Sequence, residues 1–288
     1  MNNLLDDLLR LLELERIELD LFRGESRDIG SSQVFGGQVL GQALVAASAT
    51  VDGRDVHSLH AYFLRRGDFN APIVYEVDRS RDGGSFSSRR VVAIQHGQQI
   101  LHMSASFQTP EVGLDHQLSA PVVPPPESLP DHMDSLRKRL DSLPPERRRV
   151  WESERPWEFR LVDPLPETPQ PADCVRHVWF RLVERCPDDP ILHRCLLAYL
   201  SDFQLLETAL LPHGVSTFDG RLTMASIDHA MWFHRPVRID EWLLYVIASP
   251  SASGSRGFAT GRIYDRGGAL VASVAQEGLM RWREPSAT

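Results

Sequence analysis

His229 with His234, Ser201-Asp202, Asp228, and His57 with His60 are the residues whose types and spacing could support metal or acid–base chemistry. On an extended segment His229 and His234 point to opposite faces, which does not suit one metal ion. No His-Glu-x-x-His helix accompanies them, and Cys174, Cys186 and Cys195 are unclustered. Those three cysteines read as free thiols of a reducing compartment, neither a disulfide framework nor a zinc site. Gly36-Gly37 and Gly41 lack the strand and spacing of a dinucleotide fingerprint, so close packing of a helix explains them better. No Gly-x-Ser-x-Gly elbow is present, which argues against a serine hydrolase. Ser201-Asp202 ahead of Phe203-Gln204-Leu205-Leu206 has the form of a helix N-cap, whose free amides favour an anion. On spacing alone Asp202 is a plain cap. His57 and His60 read as core or interface histidines. Asp228 shares a predicted strand face with Ser226, two residues away, and is a reserve candidate for a base.

These residues must be positioned by an ordinary globular chain. It has 288 residues, 42% of them hydrophobic and 24% charged, enough for two domains of usual size. A net charge of -8 argues against nucleic acid as a partner, though a local basic patch could still hold a small polyanion. The leucine-rich start is interrupted by Asp6, Asp7, Glu13, Glu15 and Glu18, so it is neither a signal peptide nor a membrane span. Leu4, Leu5, Leu8 and Leu12 instead predict an amphipathic helix. Ser286-Ala287-Thr288 is not a peroxisomal address, and cytoplasm is the expected location.

Thirteen of the 20 prolines fall between Pro110 and Pro171, which marks a linker. Met133, Leu136, Leu140 and Leu143 predict a short helix inside it. The flanking segments look alike: His60-Ala61 answers His229-Ala230, and the turn at Gly97 answers Gly267. Extended segments are expected near 57–66, 72–81, 85–96 and 99–109, then near 175–184, 222–236, 241–250, 255–265 and 269–283. Val39 to Val51 is apolar or small nearly all round, so its helix must be buried on most sides. A buried helix wrapped by a curved antiparallel sheet is the hotdog arrangement. Two of them make an α+β double hotdog, with domains expected at 1–112 and 155–288 and the linker at 113–154.

VFGGQVLGQAL (34–44), HSLHAYFLRRGD (57–68), YLSDFQLLETAL (199–210), SIDHAMWFHRP (226–236) and SVAQEGLMR (273–281) together resemble the acyl-CoA thioesterase II family across nearly the whole chain. The resemblance implies hydrolysis of medium- to long-chain acyl-CoA by an Asp, a hydroxyl residue and a Gln. By motif these fall on Asp202, Ser226 and Gln276; many members carry Thr where this chain has Ser226. Thioester hydrolysis needs an aimed water, a base, and donors for the developing oxyanion. Asp202 can accept the proton, while Ser226 and Gln276 can hold the water without competing for it. In the repeat, Ser226 answers His57, Gln276 answers Ser106, and Asp202 answers the region of Gly36, which implies one working site per chain.

CoA carries several phosphates, for which His60, Arg65, Arg66, Arg89, Arg90, Arg235 and Arg256 are the candidate contacts. No cofactor is expected, and the chain is a candidate homodimer or homotetramer. Two other functions compete: a hotdog enoyl-CoA hydratase or dehydratase, and a non-catalytic acyl-CoA-binding module. The first wants an Asp/His pair at a helix start, which neither half offers; the intact Asp, Ser and Gln set speaks against the second. With no ligand cluster in the sequence, thiol release from acyl-CoA should survive EDTA undiminished. A rate lost in EDTA and restored by zinc would reveal a missed metal site.

Overall fold

The computed structural model describes residues 4–30, 33–140, 145, 148, 152–164, 166 and 168–283; Leu143 and Ser286 to Thr288 lie outside them. The chain opens with α1 (Leu4–Leu12), which buries Leu5, Leu8, Leu11 and Leu12 on one stripe, as its spacing predicts. Next come β1 (Glu15–Glu18), β2 (Leu21–Gly24) and the buried helix α2 (Gly36–Ser48). Four long strands follow: β3 (Asp55–Phe63), β4 (Ile73–Asp82), β5 (Phe86–Gln95) and β6 (Gln98–Gln108). After α3 (His132–Leu140) the chain forms β7 (Trp157–Leu161), β8 (Val175–Leu182) and a second buried helix, α4 (Pro190–Ser201). It ends with β9 (Leu222–Ser226), β10 (Asp228–Phe233), β11 (Leu243–Ser253), β12 (Arg256–Asp265) and β13 (Leu270–Trp282).

All 13 strands join one sheet, in the order β1-β2-β4-β5-β6-β3-β10-β13-β12-β11-β8-β7, with β9 on β13. Its centre is the antiparallel seam of β3 and β10, where His60 faces Ala230 and Ala61 faces His229. The matched dipeptides of the two halves therefore pair with each other. Outward from the seam the two wings repeat the same strand sequence.

The helices sit on the inner face, side by side. A Cβ built on Gly37 would lie 2.3 Å from the carbonyl oxygen of Tyr199, and one on Gly41 would lie 3.3 Å from that of Cys195. Contacts of 37 with 199 and 41 with 195 mean that α2 and α4 run antiparallel at close range. At Gly37 only a residue without a side chain permits that approach, and at Gly41 a side chain would be tight, as expected from close helix packing. The buried Gln42 of α2 is satisfied: it donates to the Leu11 and Glu25 carbonyls and accepts from the Tyr75 hydroxyl at 2.6 Å. These bonds hold the α1 end and the 25–27 segment against the helix.

One expectation is corrected here. The helix expected to begin at Ser201-Asp202 ends there: α4 starts at Pro190, with Asp189 accepting from the amides of Ile191 (2.9 Å) and Leu192 (3.4 Å). Asp189-Pro190 is itself a cap and first-turn signature. Asp202 therefore has no counterpart near Gly36; it opens a segment between α4 and β9 far longer than the turn joining α2 to β3. The described residues of the proline-rich linker before α3 lie against the sheet. Gln117 bonds Gly268 and Leu270, Trp179 donates to the Pro124 carbonyl at 3.0 Å, and Ala120, Val123 and Leu129 cover an apolar cluster around Trp242.

Gly37→Ala should force α2 and α4 apart, lowering stability by about 1–3 kcal/mol, the usual cost of overpacking. An unchanged urea midpoint in that variant would contradict the helix contact described.

Candidate active site

Asp202 follows the last turn of α4, with its side chain only 5% exposed. A Cβ on Gly36 would stand 2.7 Å from its Oδ2, so the carboxylate rests against the first residue of α2. The α2 ladder starts with Val39 bonding the Phe35 carbonyl at 3.4 Å, and Phe35 provides no side-chain cap. The amides of Gly36 and Gly37 thus belong to the first turn, where no intrahelical acceptor exists. Asp202 thus stands at the C-terminal end of its own helix and beside the N-terminal end of the other buried helix.

Ser226 ends β9 and Gln276 lies within β13, fully buried. Gln276 Nε2 donates to Asp202 Oδ1 at 2.6 Å and stands 3.2 Å from Ser226 Oγ. The short contact fixes the amide's orientation, because a reversed amide would set oxygen against oxygen. Gln276 Oε1 is buried and has no hydrogen-bond partner among the described residues. The three sequence candidates therefore meet, brought from a helix end and two strands. A fourth residue joins them. His229, pointing inward from β10 and wholly buried, sets Nδ1 3.2 Å from Gln276 Nε2 and 3.8 Å from Asp202 Oδ1. Burial holds its pKa below the ordinary value, against the opposing pull of the Asp202 charge.

Asp228 does not join them. The chain breaks pairing at Ile227, whose amide bonds Glu277 and whose carbonyl accepts from Phe63. Asp228 is thereby aimed away from Ser226 and accepts from the Glu277 amide at 2.6 Å. Burial raises its pKa, as does the Glu277 charge. His57 and Ser106, the positions answering Ser226 and Gln276, also meet, at 2.8 Å. No carboxylate is bonded to them among the described residues.

Residues 159–279 match the acyl-CoA thioesterase family, and residues 23–108 match the acyl-CoA thioesterase N-terminal domain. Acyl-CoA thioesterase 2 of Haemophilus influenzae is 44% identical, over 99% of this chain and 100% of that protein. The chain belongs to the acyl-CoA thioesterase II family. A crystal structure of an acyl-CoA thioesterase II from Mycobacterium marinum matches this thioesterase with TM-score 0.79 and 44% identity, over 98% of this chain and 99% of that one. A hotdog-fold protein from Alicyclobacillus acidocaldarius, 19% identical, matches with TM-score 0.77 over 96% and 98% of the two chains; it speaks to the fold alone.

Most of the cations nominated for CoA in this thioesterase are otherwise engaged. Arg89 is a correction: it is 2% exposed and locked to Thr50, the Arg81 carbonyl and Asp82, so it is part of the core. Arg235 bonds Asp115 and the Leu270 carbonyl, Arg256 pairs with Glu277 at 2.8 Å, and Arg65 donates to the Gln99 carbonyl. His60 packs edge-on against Trp232, on the sheet face opposite His229. Arg66 and Arg90 are exposed and make no ion pair among the described residues. No helix among the described residues is long and apolar enough to cross a membrane, and no three or more His, Cys, Asp or Glu side chains there cluster as a metal site would.

In the sequence His229 stands out only as a candidate metal ligand. The signal that could have found it is its inward phase on the same strand as Met231, beside the Gln276 strand. Because its folded pKa is depressed, its contribution to stability is fully present above the ordinary value of 6.5 and is lost as pH falls below that. His193, also lowered by burial, acts in the same direction. The urea midpoint should therefore decline as pH is lowered from neutrality through that value; a midpoint that holds or rises would contradict a neutral buried His229.

Proposed function

We propose that this chain hydrolyses medium- to long-chain fatty acyl-CoA to free acid and CoA, with Asp202 taking the proton of the attacking water. Acyl-CoA hydrolysis is the activity of the family; the assignment of roles rests on the site. The observation that carries it is the 2.6 Å bond from Gln276 to Asp202, beside Ser226 and against the start of α2. That bond holds the carboxylate in place while leaving Oδ2 free of the amide. Gln276 Oε1 and Ser226 Oγ can orient the water between them. As its oxygen attacks the thioester carbonyl, its proton passes to Asp202. The developing oxyanion is stabilised by the first-turn amides Gly36 and Gly37, at the positive end of the α2 dipole. Collapse of the tetrahedral intermediate breaks the carbon–sulfur bond, and the CoA thiolate recovers the proton from Asp202.

A cavity of about 580 Å³ opens beside Phe203, the residue after Asp202, and is walled by Trp157, Phe159, Leu210 and Phe218. Small-molecule sites commonly span ~300–1,000 Å³. Part of that wall is aromatic and aliphatic, but Glu158, Arg176 and Glu207 also line the cavity and Asp202, Ser226 and Gln276 do not, so the medium- to long-chain range follows from the family alone. The cavity lies chiefly between the linker segment and the second wing. Exposed Arg66, a short way after Phe63 whose ring lies over Gly36, is well placed for a CoA phosphate. The double hotdog, with domains at 1–112 and 155–288 and the strap at 113–154, completes this reading; the mirrored wings around β3 and β10 support it.

Asp202→Asn should lower kcat roughly a hundredfold or more, the usual scale for a general base, while the chain stays folded. Asp228→Asn should keep near-normal turnover. Thiol release from acyl-CoA of several lengths, run beside absorbance loss from crotonyl-CoA, checks both role and reaction class. A folded Asp202→Asn with wild-type kcat, or loss of crotonyl absorbance without thiol release, would overturn the proposal.

A further inference from the structure

We infer that His229 is a positioning residue of this site: as a neutral imidazole with its proton on Nε2, it fixes the Gln276 amide between Asp202 and Ser226. The proton assignment follows from the bonds behind it. His229 Nε2 lies 3.0 Å from Ser201 Oγ, and Ser201 Oγ donates its single proton to the Ala198 carbonyl at 2.9 Å. Ser201 can then only accept from the imidazole, which places the hydrogen on Nε2 and a lone pair on Nδ1. That lone pair faces Gln276 Nε2 at 3.2 Å.

The Gln276 amide has two protons. One is committed to Asp202 Oδ1, and the other is directed at the region shared by His229 Nδ1 and Ser226 Oγ, both at 3.2 Å. An acceptor on the far side of the amide nitrogen keeps its carbonyl end turned the other way. Ser201 is itself anchored, because the Tyr245 hydroxyl donates to its carbonyl at 3.0 Å from β11. The chain of contacts therefore runs from β11 through the last turn of α4 to His229, and from there to Gln276. The ionisable groups facing this set are Asp202 from α4 and Tyr245 from β11; burial raises the Tyr245 pKa further and keeps its proton in place. Protonating His229 would turn Nδ1 from acceptor to donor, donor against donor at Gln276, and would draw Asp202 toward the imidazolium. The site would lose its geometry and its base in one step.

The inference rests on the hydrolytic roles proposed for Asp202 and Gln276, so the experiment includes Asp202→Asn as a reference. Asparagine at 229 can present its carbonyl where Nδ1 stood; leucine removes the acceptor, and glutamine keeps a polar end toward Ser201 but withdraws the acceptor from Gln276. kcat and KM for thiol release would be measured across pH for His229→Asn, His229→Gln and His229→Leu, with urea midpoints to confirm folding. The expected result is that His229→Leu and His229→Gln lower kcat about tenfold or more with KM little changed, while His229→Asn stays within about threefold of wild type. The acid limb of the wild-type kcat profile should also shift in His229→Asn, which has no imidazole to titrate. Should leucine prevent folding, the glutamine variant makes the same comparison. If the folded variants without the acceptor turn over like wild type, or asparagine restores nothing, the inference is overturned. An inactive Asp202→Asn beside an unaffected His229 series would defeat this inference alone; an active Asp202→Asn would defeat the hydrolytic reading beneath it.

Discussion

The close antiparallel contact between the two buried helices is the constraint on which the rest depends. Gly37 and Gly41 let α2 approach within backbone range of Tyr199 and Cys195 on α4. At that separation the end of one helix and the start of the other become a single place. Asp202 leaves the last turn of α4, and Gly36 offers no side chain to displace it. A carboxylate is thus set against the electropositive end of a helix whose own cap supplies no anion. A larger residue at Gly36 or Gly37 would separate the charge from the amides before it disturbed either helix alone.

Around that contact the protein buries polar groups that must satisfy one another, since each would otherwise be costly to remove from water. Gln276 and His229 are fully buried, Asp202 nearly so, and their partners are mutual. A network of this kind has few alternative arrangements, so the positions of its members are set jointly and not one by one. The same logic holds the arginine core of the first wing, where Arg89, Asp82 and Thr50 close on each other. Arg89 and His229 both look available in sequence and are both consumed by the interior. Cys195, its thiol pushed up to about 12 by burial, is likewise an inert part of the packing.

The strap between the wings shows how little regular structure a segment needs in order to be held. Its prolines remove donors, yet Gln117 and the Pro124 carbonyl find partners on the sheet, and Asp115 engages Arg235. In doing so it covers an apolar face around Trp242 and Tyr264 and helps wall the cavity beside Phe203.

By itself the sequence located the long strands but not β1, β2 or β7, and it carried the buried character of α2, the repeated order of the two wings and the candidacy of Asp202, Ser226 and Gln276. These are carried by local patterning and by short motifs, which survive in one dimension. It misplaced the second central helix, because Ser201-Asp202 and Asp189-Pro190 are both plausible caps and only packing selects between them. Tertiary structure alone decided which helix start lies against Asp202, since Gly36 comes from a segment far away in the chain. It also decided that Asp228 turns away from Ser226, through a break at Ile227 that strand periodicity does not foresee, and that His229 turns toward Gln276. Contacts between elements distant in sequence leave no local trace, and the site of this protein is made almost wholly of such contacts.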